Sequence, residues 1–280
     1  MPLKWFICDK FQGKPVPLEE CFKCHQCMTE PTLRLISQDR EWNGEPSTTQ
    51  LLNGTMMEFL KITRDYGVNP QSRAFSIHGT KVHGELQKYA EELGLPAEIA
   101  MSPDGRDIFD LLEYNSTNSW TLTDYKTWGS YRVVRALGIT KVGKGKDAEF
   151  LVKPEDADLS NEELQLNNYR IKLEKLGIII NNMQLQVMVR DGGLSVAATR
   201  GIDFNIRLIP IKRLPDDEVL AYFAAKRQRL LNALADYKKD NNYFPEVCNS
   251  EESWEGRRCQ SYCDVAEFCP KGIVEKGGIA

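Results

Sequence analysis

Trp120-Thr121-Leu122-Thr123-Asp124-Tyr125-Lys126-Thr127 is the stretch on which the reading of this chain turns. Its β-branched and aromatic residues predict a strand. Side chains on a strand alternate between faces, so Asp124 and Lys126 share one. They stand ~6.6 Å apart along it. A carboxylate there can bind a divalent cation, and an ammonium beside it can touch the same water or phosphate.

Arg106–Tyr114 predicts a second strand, and Asn115-Ser116-Thr117-Asn118 is turn chemistry, so the two form a hairpin. A turn centred near Thr117 sets Asp110 opposite Asp124, Leu112 opposite Leu122 and Tyr114 opposite Trp120. Directly opposed residues share a face. One face is then apolar at the turn end and carries two acids and a lysine at the other. Two close carboxylates repel and desolvate each other, which calls for a cation or a shared proton. A hard cation with oxygen ligands answers that need. Asp107 competes with Asp110, but pairing it with Asp124 squeezes the turn into Leu112–Ser119.

Further out, Thr80–Leu93 predicts a helix, stopped by Gly94 and Pro96, with His83 beside its apolar stripe. His78 precedes Gly79 and is expected before the helix. Ser160 with Glu163 makes a capping box for a helix to about Leu176, on which Gln165 and Tyr169 share a face at i and i+4. Ser47–Tyr66 predicts a helix, as does Pro215–Lys238. Gln184–Arg190 and Phe204–Ile211 predict strands, while residues 141–160 read as a loop or lid in which Lys141, Lys144 and Lys146 could track a DNA strand. This order is that of a mixed α/β domain around one sheet. Three segments are expected: a cysteine-rich module over 1–46, a core over 47–240 and a cysteine-rich tail over 241–280.

Of the 280 residues, 41% are hydrophobic, enough for a real core. The net charge of −4 argues against a protein that coats nucleic acid unselectively, but leaves room for a local basic groove. No apolar run approaches the ~20 residues of a membrane helix, and Met1–Lys10 lacks a cleavage site, so a cytoplasmic protein without membrane contact is expected. No Ser/His/Asp nucleophile elbow and no Gly-rich phosphate loop is present, so neither acyl transfer nor nucleoside-triphosphate hydrolysis is supported.

The eight cysteines fall in two groups, Cys8, Cys21, Cys24 and Cys27 against Cys248, Cys259, Cys263 and Cys269. In a reducing compartment such groups predict metal ligation rather than disulfides. Zinc and an iron–sulfur cluster both suit closely spaced cysteines.

Four ordered segments carry a resemblance: Gly79-Thr80-Lys81-Val82-His83, Ile108-Phe109-Asp110-Leu111-Leu112, Leu122-Thr123-Asp124-Tyr125-Lys126-Thr127 and Gln165-Leu166-Asn167-Asn168-Tyr169. Together they resemble the RecB-type branch of the PD-(D/E)xK nuclease superfamily, over about residues 76–180. The tail, with Cys259, Cys263 and Cys269-Pro270, is similar to that of CRISPR-associated iron–sulfur exonucleases. The resemblance implies a restriction-endonuclease-like core and end-directed cleavage of DNA to 5′-phosphate and 3′-hydroxyl ends, in repair, recombination or mobile-element processing. It implies Mg²⁺ or Mn²⁺ on His83, Asp110, Asp124 and the backbone carbonyl of Tyr125. Lys126 would stabilise the transition state, with Gln165 and Tyr169 orienting the DNA backbone or the lysine. A helicase or recombinase is the partner it suggests. It also tilts the C-terminal cysteines towards a [4Fe–4S] cluster, with zinc as the alternative. Members of that group take a fourth cysteine from a helix resembling Ser47–Tyr66, which here has none. Either Cys248 completes a local set of four, or an N-terminal cysteine joins the three. The rival from another class is a non-catalytic, metal-anchored DNA-binding or scaffold protein.

Overall fold

Phe6, Leu33, Phe59 and Leu60 are wholly buried together in one apolar core, and Met56 nearly so. The computed structural model describes residues 3–102, 105–115, 119–143 and 149–278. The protein is mixed α/β, with sheets flanked by helices. It divides into two units, residues 1–77 with 221–280, and residues 78–220. The three consecutive segments expected from the sequence are thus replaced by a discontinuous unit and an inserted one. The physical reason lies in that core: Phe59 and Leu60 pack with Leu230, Ala233, Val265 and Cys269, so both ends of the chain bury apolar surface in one place.

The first unit opens with three strands, β1 (Leu3–Cys8), β2 (Lys14–Pro17) and β3 (Tyr66–Val68), in the order β2-β1-β3. β1 runs antiparallel to β2 and parallel to β3. The helix predicted over Ser47–Tyr66 is two helices, Thr48–Leu52 and Thr55–Thr63. Ser47 and Gln50 form a capping box on the first, and Asn53-Gly54 breaks the run. The Gly54 position admits no side chain, since a Cβ there would lie 2.3 Å from the sulfur of Cys248.

The second unit is built on a five-stranded sheet. Its strands are β4 (Ala97–Ala100), β5 (Ile108–Tyr114), β6 (Trp120–Trp128), β9 (Ile180–Val189) and β10 (Ile206–Pro210), in the order β10-β9-β6-β5-β4. β5 and β6 form the predicted hairpin, with Leu112 paired to Leu122 and Tyr114 to Trp120 as the alternation required. Residues 116–118 of the predicted turn lie outside the described residues. β6 and β9 are parallel, which obliges a long crossover. That crossover holds the helix Ser130–Leu137, then β7 (Ile139–Val142) paired with β8 (Glu149–Val152), then the helix Ser160–Lys175. The 141–160 stretch read as a loop therefore contributes strand residues; Lys144 and Lys146 lie outside the described residues.

One face of the sheet buries Leu112, Leu122, Leu185 and Val187 against Leu166, Tyr169 and Leu173. Each such side chain contributes roughly 1.5–3 kcal/mol by leaving water. On the other face Leu111 and Tyr125 meet Ala90 of the helix Ser76–Glu92. That helix starts four residues earlier than expected and includes His78, which is exposed. The helix Ser160–Lys175 begins with no side-chain cap, so the Ser160–Glu163 box does not form. Its Arg170 is wholly buried and reaches Asp216 (2.6 Å) and Glu174 (2.8 Å). No helix among the described residues is long and apolar enough to cross a membrane.

Candidate active site and cysteine clusters

The β5–β6 register, continued by one pair beyond Leu111 and Thr123, sets Asp110 across from Asp124. Both are buried. The Tyr125 amide donates to Asp110 Oδ2 at 2.6 Å, fixing that carboxylate against the neighbouring strand. Burial first, then the like charge of Asp124, pushes the Asp110 carboxyl up to about 7.

His83 reaches the same place from the helix Ser76–Glu92. Its Nε2 lies 3.1 Å from the carbonyl oxygen of Tyr125 and its Nδ1 3.1 Å from Glu98 Oε1. Asp110 Oδ2 is 3.7 Å from the same Nδ1. Two acceptors on the two ring nitrogens favour the doubly protonated ring. The Glu98 hydrogen bond raises the His83 pKa above its ordinary value against the opposing effect of burial, and Asp110 adds to it.

Glu98 is the residue that reading the sequence missed. The β4–β5 register pairs Ala97 with Leu111 and Ile99 with Phe109, so Glu98 faces Asp110 between them. It sits at φ +51, a left-handed conformation uncommon for a residue with a side chain. The alternation of Ala97 and Ile99 around a lone acid was the available signal, hidden by a four-residue edge strand just after Pro96.

Among the described residues, His83, Glu98 and Asp110 are the one group whose ligand atoms lie within 4.8 Å of one another. One imidazole and two carboxylates, with the Tyr125 carbonyl beside them, form a donor set that suits Mg²⁺ or Mn²⁺. Asp124 is not in that group. Its Oδ2 lies 2.6 Å from the Lys126 ammonium, and its Oδ1 accepts from Gln165 Nε2 at 3.1 Å. Lys126 is in turn 3.4 Å from Gln165 Oε1. Burial opposes the charge on Lys126, but Asp124 outweighs it and the pKa is raised. Tyr169 is buried in the same core, within reach of Gln165, and burial pushes its phenol upward. Asp107, the rival to Asp110, is paired with Lys172. Arg200 reaches Ser130 Oγ and Arg207 stacks over Phe204.

The cysteines gather as two quartets, all eight free of disulfides. Cys248, Cys259, Cys263 and Cys269 line one cleft with Met56, Met57 and Leu60 of the helix Thr55–Thr63. Cys248 takes a backbone hydrogen bond from Met57, and burial pushes its thiol up to about 11. Burial first, then Cys269, raises the Cys259 thiol above its ordinary value against Lys271 and Arg258, which lower it. Cys8, Cys21 and Cys27 line a separate cavity, and Cys24 is close enough to act on Cys21.

No family model and no curated protein matches the chain. Among solved structures, the crystal structure of SSO0001 is similar over 91% of this chain and 95% of its own, at 14% identity and a TM-score of 0.41.

Proposed function

We propose that this protein is a divalent-metal-dependent DNA nuclease with a restriction-endonuclease-like core, cutting phosphodiester bonds to leave 5′-phosphate and 3′-hydroxyl ends. The observation that supports it most is the convergence of His83, Glu98 and Asp110 on one point beside the Asp124–Lys126 pair. The resemblance of the same segments to RecB-type nucleases adds to it.

His83, Glu98, Asp110 and the Tyr125 carbonyl would hold the cation, with Asp124 adjacent. When bound, Mg²⁺ or Mn²⁺ supplies Lewis-acid polarisation of the phosphate and a lowered pKa for water. Lys126, half-buried and charged, is placed to stabilise the negative charge that grows on the phosphate during attack. Gln165 holds both Asp124 and Lys126 and so fixes the direction of the ammonium. The Tyr125 amide keeps Asp110 turned to the site. Cys248, Cys259, Cys263 and Cys269 would hold a [4Fe–4S] cluster, or zinc, that ties the tail to the apolar core of its unit.

The test is cleavage of end-labelled linear and closed-circular DNA with Mn²⁺ by anaerobically purified protein, against Lys126→Ala. Degradation by the wild type and not by the variant supports the nuclease, and sparing of the circle makes it an exonuclease. Absence of cleavage with Mn²⁺ bound nowhere would overturn the catalytic reading in favour of a scaffold or DNA-binding role.

A further inference from the structure

The N-terminal quartet is used by nothing in the nuclease reading. Cys8 ends β1, and Cys21 and Cys24 lie three apart on the helix Leu18–Cys24, on one face of it. His25 follows at φ +31, and this left-handed residue ends the helix so that the chain turns back and presents Cys27. The His25 ring donates from Nδ1 to the Phe22 carbonyl at 3.0 Å. Lys10 donates to the Gln26 carbonyl at 3.0 Å, tying the turn after Cys8 to the turn before Cys27. Burial, then Cys27, Cys8 and Cys24 in that order, push the Cys21 thiol up to about 11. Four sulfurs are therefore near enough to resist sharing negative charge, which a metal centre would relieve.

Two observations select the kind of centre. A tetrahedral zinc with Zn–S of about 2.3 Å brings its sulfurs to about 3.8 Å from one another. Among the described residues no three cysteine sulfurs come within 4.8 Å. Three of the four cysteines border space instead: Cys8, Cys21 and Cys27 line a cavity of about 270 Å³ with Phe6, Lys10 and Gln26, and Cys24 lies one turn from Cys21 on the same helix. A cluster that carries its own sulfide occupies such space and spreads its thiolates. The spacing Cys21-x2-Cys24-x2-Cys27 is also the run that holds [4Fe–4S] in bacterial ferredoxins, whose fourth ligand comes from elsewhere in the chain.

We infer that Cys8, Cys21, Cys24 and Cys27 bind a [4Fe–4S] cluster of their own, separate from the C-terminal cysteine centre. The chain then carries two centres on one unit, both bordering the same apolar core. Lys10, on the cavity wall, offsets part of the negative charge of four thiolates.

The experiment uses the full chain, purified without oxygen and reconstituted with ferrous iron and sulfide. Iron, acid-labile sulfide and zinc are counted per chain in Cys259→Ser/Cys263→Ser, which disables the C-terminal quartet. About four irons and four sulfides are expected to remain, and Cys24→Ser or Cys27→Ser added to that variant removes them. Circular dichroism and elution volume confirm that each variant is folded, and Cys27, half-exposed, provides the milder lesion. One zinc in place of iron and sulfide, or no metal at all in the folded variant, overturns the inference. Nuclease activity is not the readout, so the result stands apart from the catalytic reading.

Discussion

Lys126 holds its ammonium 2.6 Å from Oδ2 of Asp124, two residues away on the same face of the same strand. The carboxylate is 5% exposed and the lysine 21%, so neither charge is well hydrated without the other. Lys126→Ala is expected to cut cleavage by at least ~100-fold, as loss of a charge-stabilising donor does elsewhere. It also leaves Asp124 buried with Gln165 alone, so a lowered Tm should accompany it. Lys126→Arg restores the charge but not the point geometry, and should recover stability more than rate. A variant cleaving at wild-type rate would remove the lysine from the mechanism.

Glu98→Gln is expected to weaken Mn²⁺ binding ~10- to 100-fold, measured calorimetrically. The same change removes the largest influence raising His83. The imidazole should therefore titrate at lower pH in the metal-free variant, by NMR. Unchanged titration would mean that Glu98 does not hold Nδ1 in solution.

Asp110 sets a pH dependence of definite sign. Its carboxyl is raised from an ordinary 3.8 to about 7 in the metal-free fold. Stability from this group is complete below pH ~4 and is lost as pH rises through 7. His83, also raised, works in the same direction. Metal-free protein should thus lose stability as pH rises from about 4 to about 7, and Asp110→Asn should flatten that slope. Added Mn²⁺ competes with these protons, so its stabilising effect should grow over the same interval. Denaturant titrations across that range decide both points.

Arg170→Met is expected to cost about 3 kcal/mol in urea unfolding. The guanidinium is wholly buried and its fork is shared between Glu174 and Asp216. Arg170→Lys should recover only part of this, because a point ammonium lacks the planar fork that reaches the two carboxylates in different directions. A cost under ~1 kcal/mol for the Met variant would show that the carboxylates rehydrate freely.

The centre of the second unit was legible because period-2 alternation and a short turn leave one sensible register. Leu112 against Leu122 and Tyr114 against Trp120 follow from it, and Asp110 against Asp124 comes with them. Glu98 was not legible: it lies on a four-residue edge strand, and its left-handed backbone is a product of the fold rather than of local preference. The break at Asn53-Gly54 was hidden for a related reason. The apolar spacing runs through it without interruption, and only the close approach of Cys248 explains it. β1 to β3 were unreadable because β1 and β3 pair across nearly the whole first 70 residues, and local pattern carries no record of distant partners.

The order of the two units along the chain has a consequence for synthesis. Residues 78–220 are complete when the ribosome reaches Leu220, whereas the unit around the cysteines still lacks residues 221–280. The inserted unit can therefore fold as it emerges, and the other must wait for residues 221–280. Cys21 and Phe59 lose their apolar cover from Leu230, Val265 and Cys269 for that interval. Cys21 and Phe59 are thus the part of that core that stays uncovered longest after synthesis.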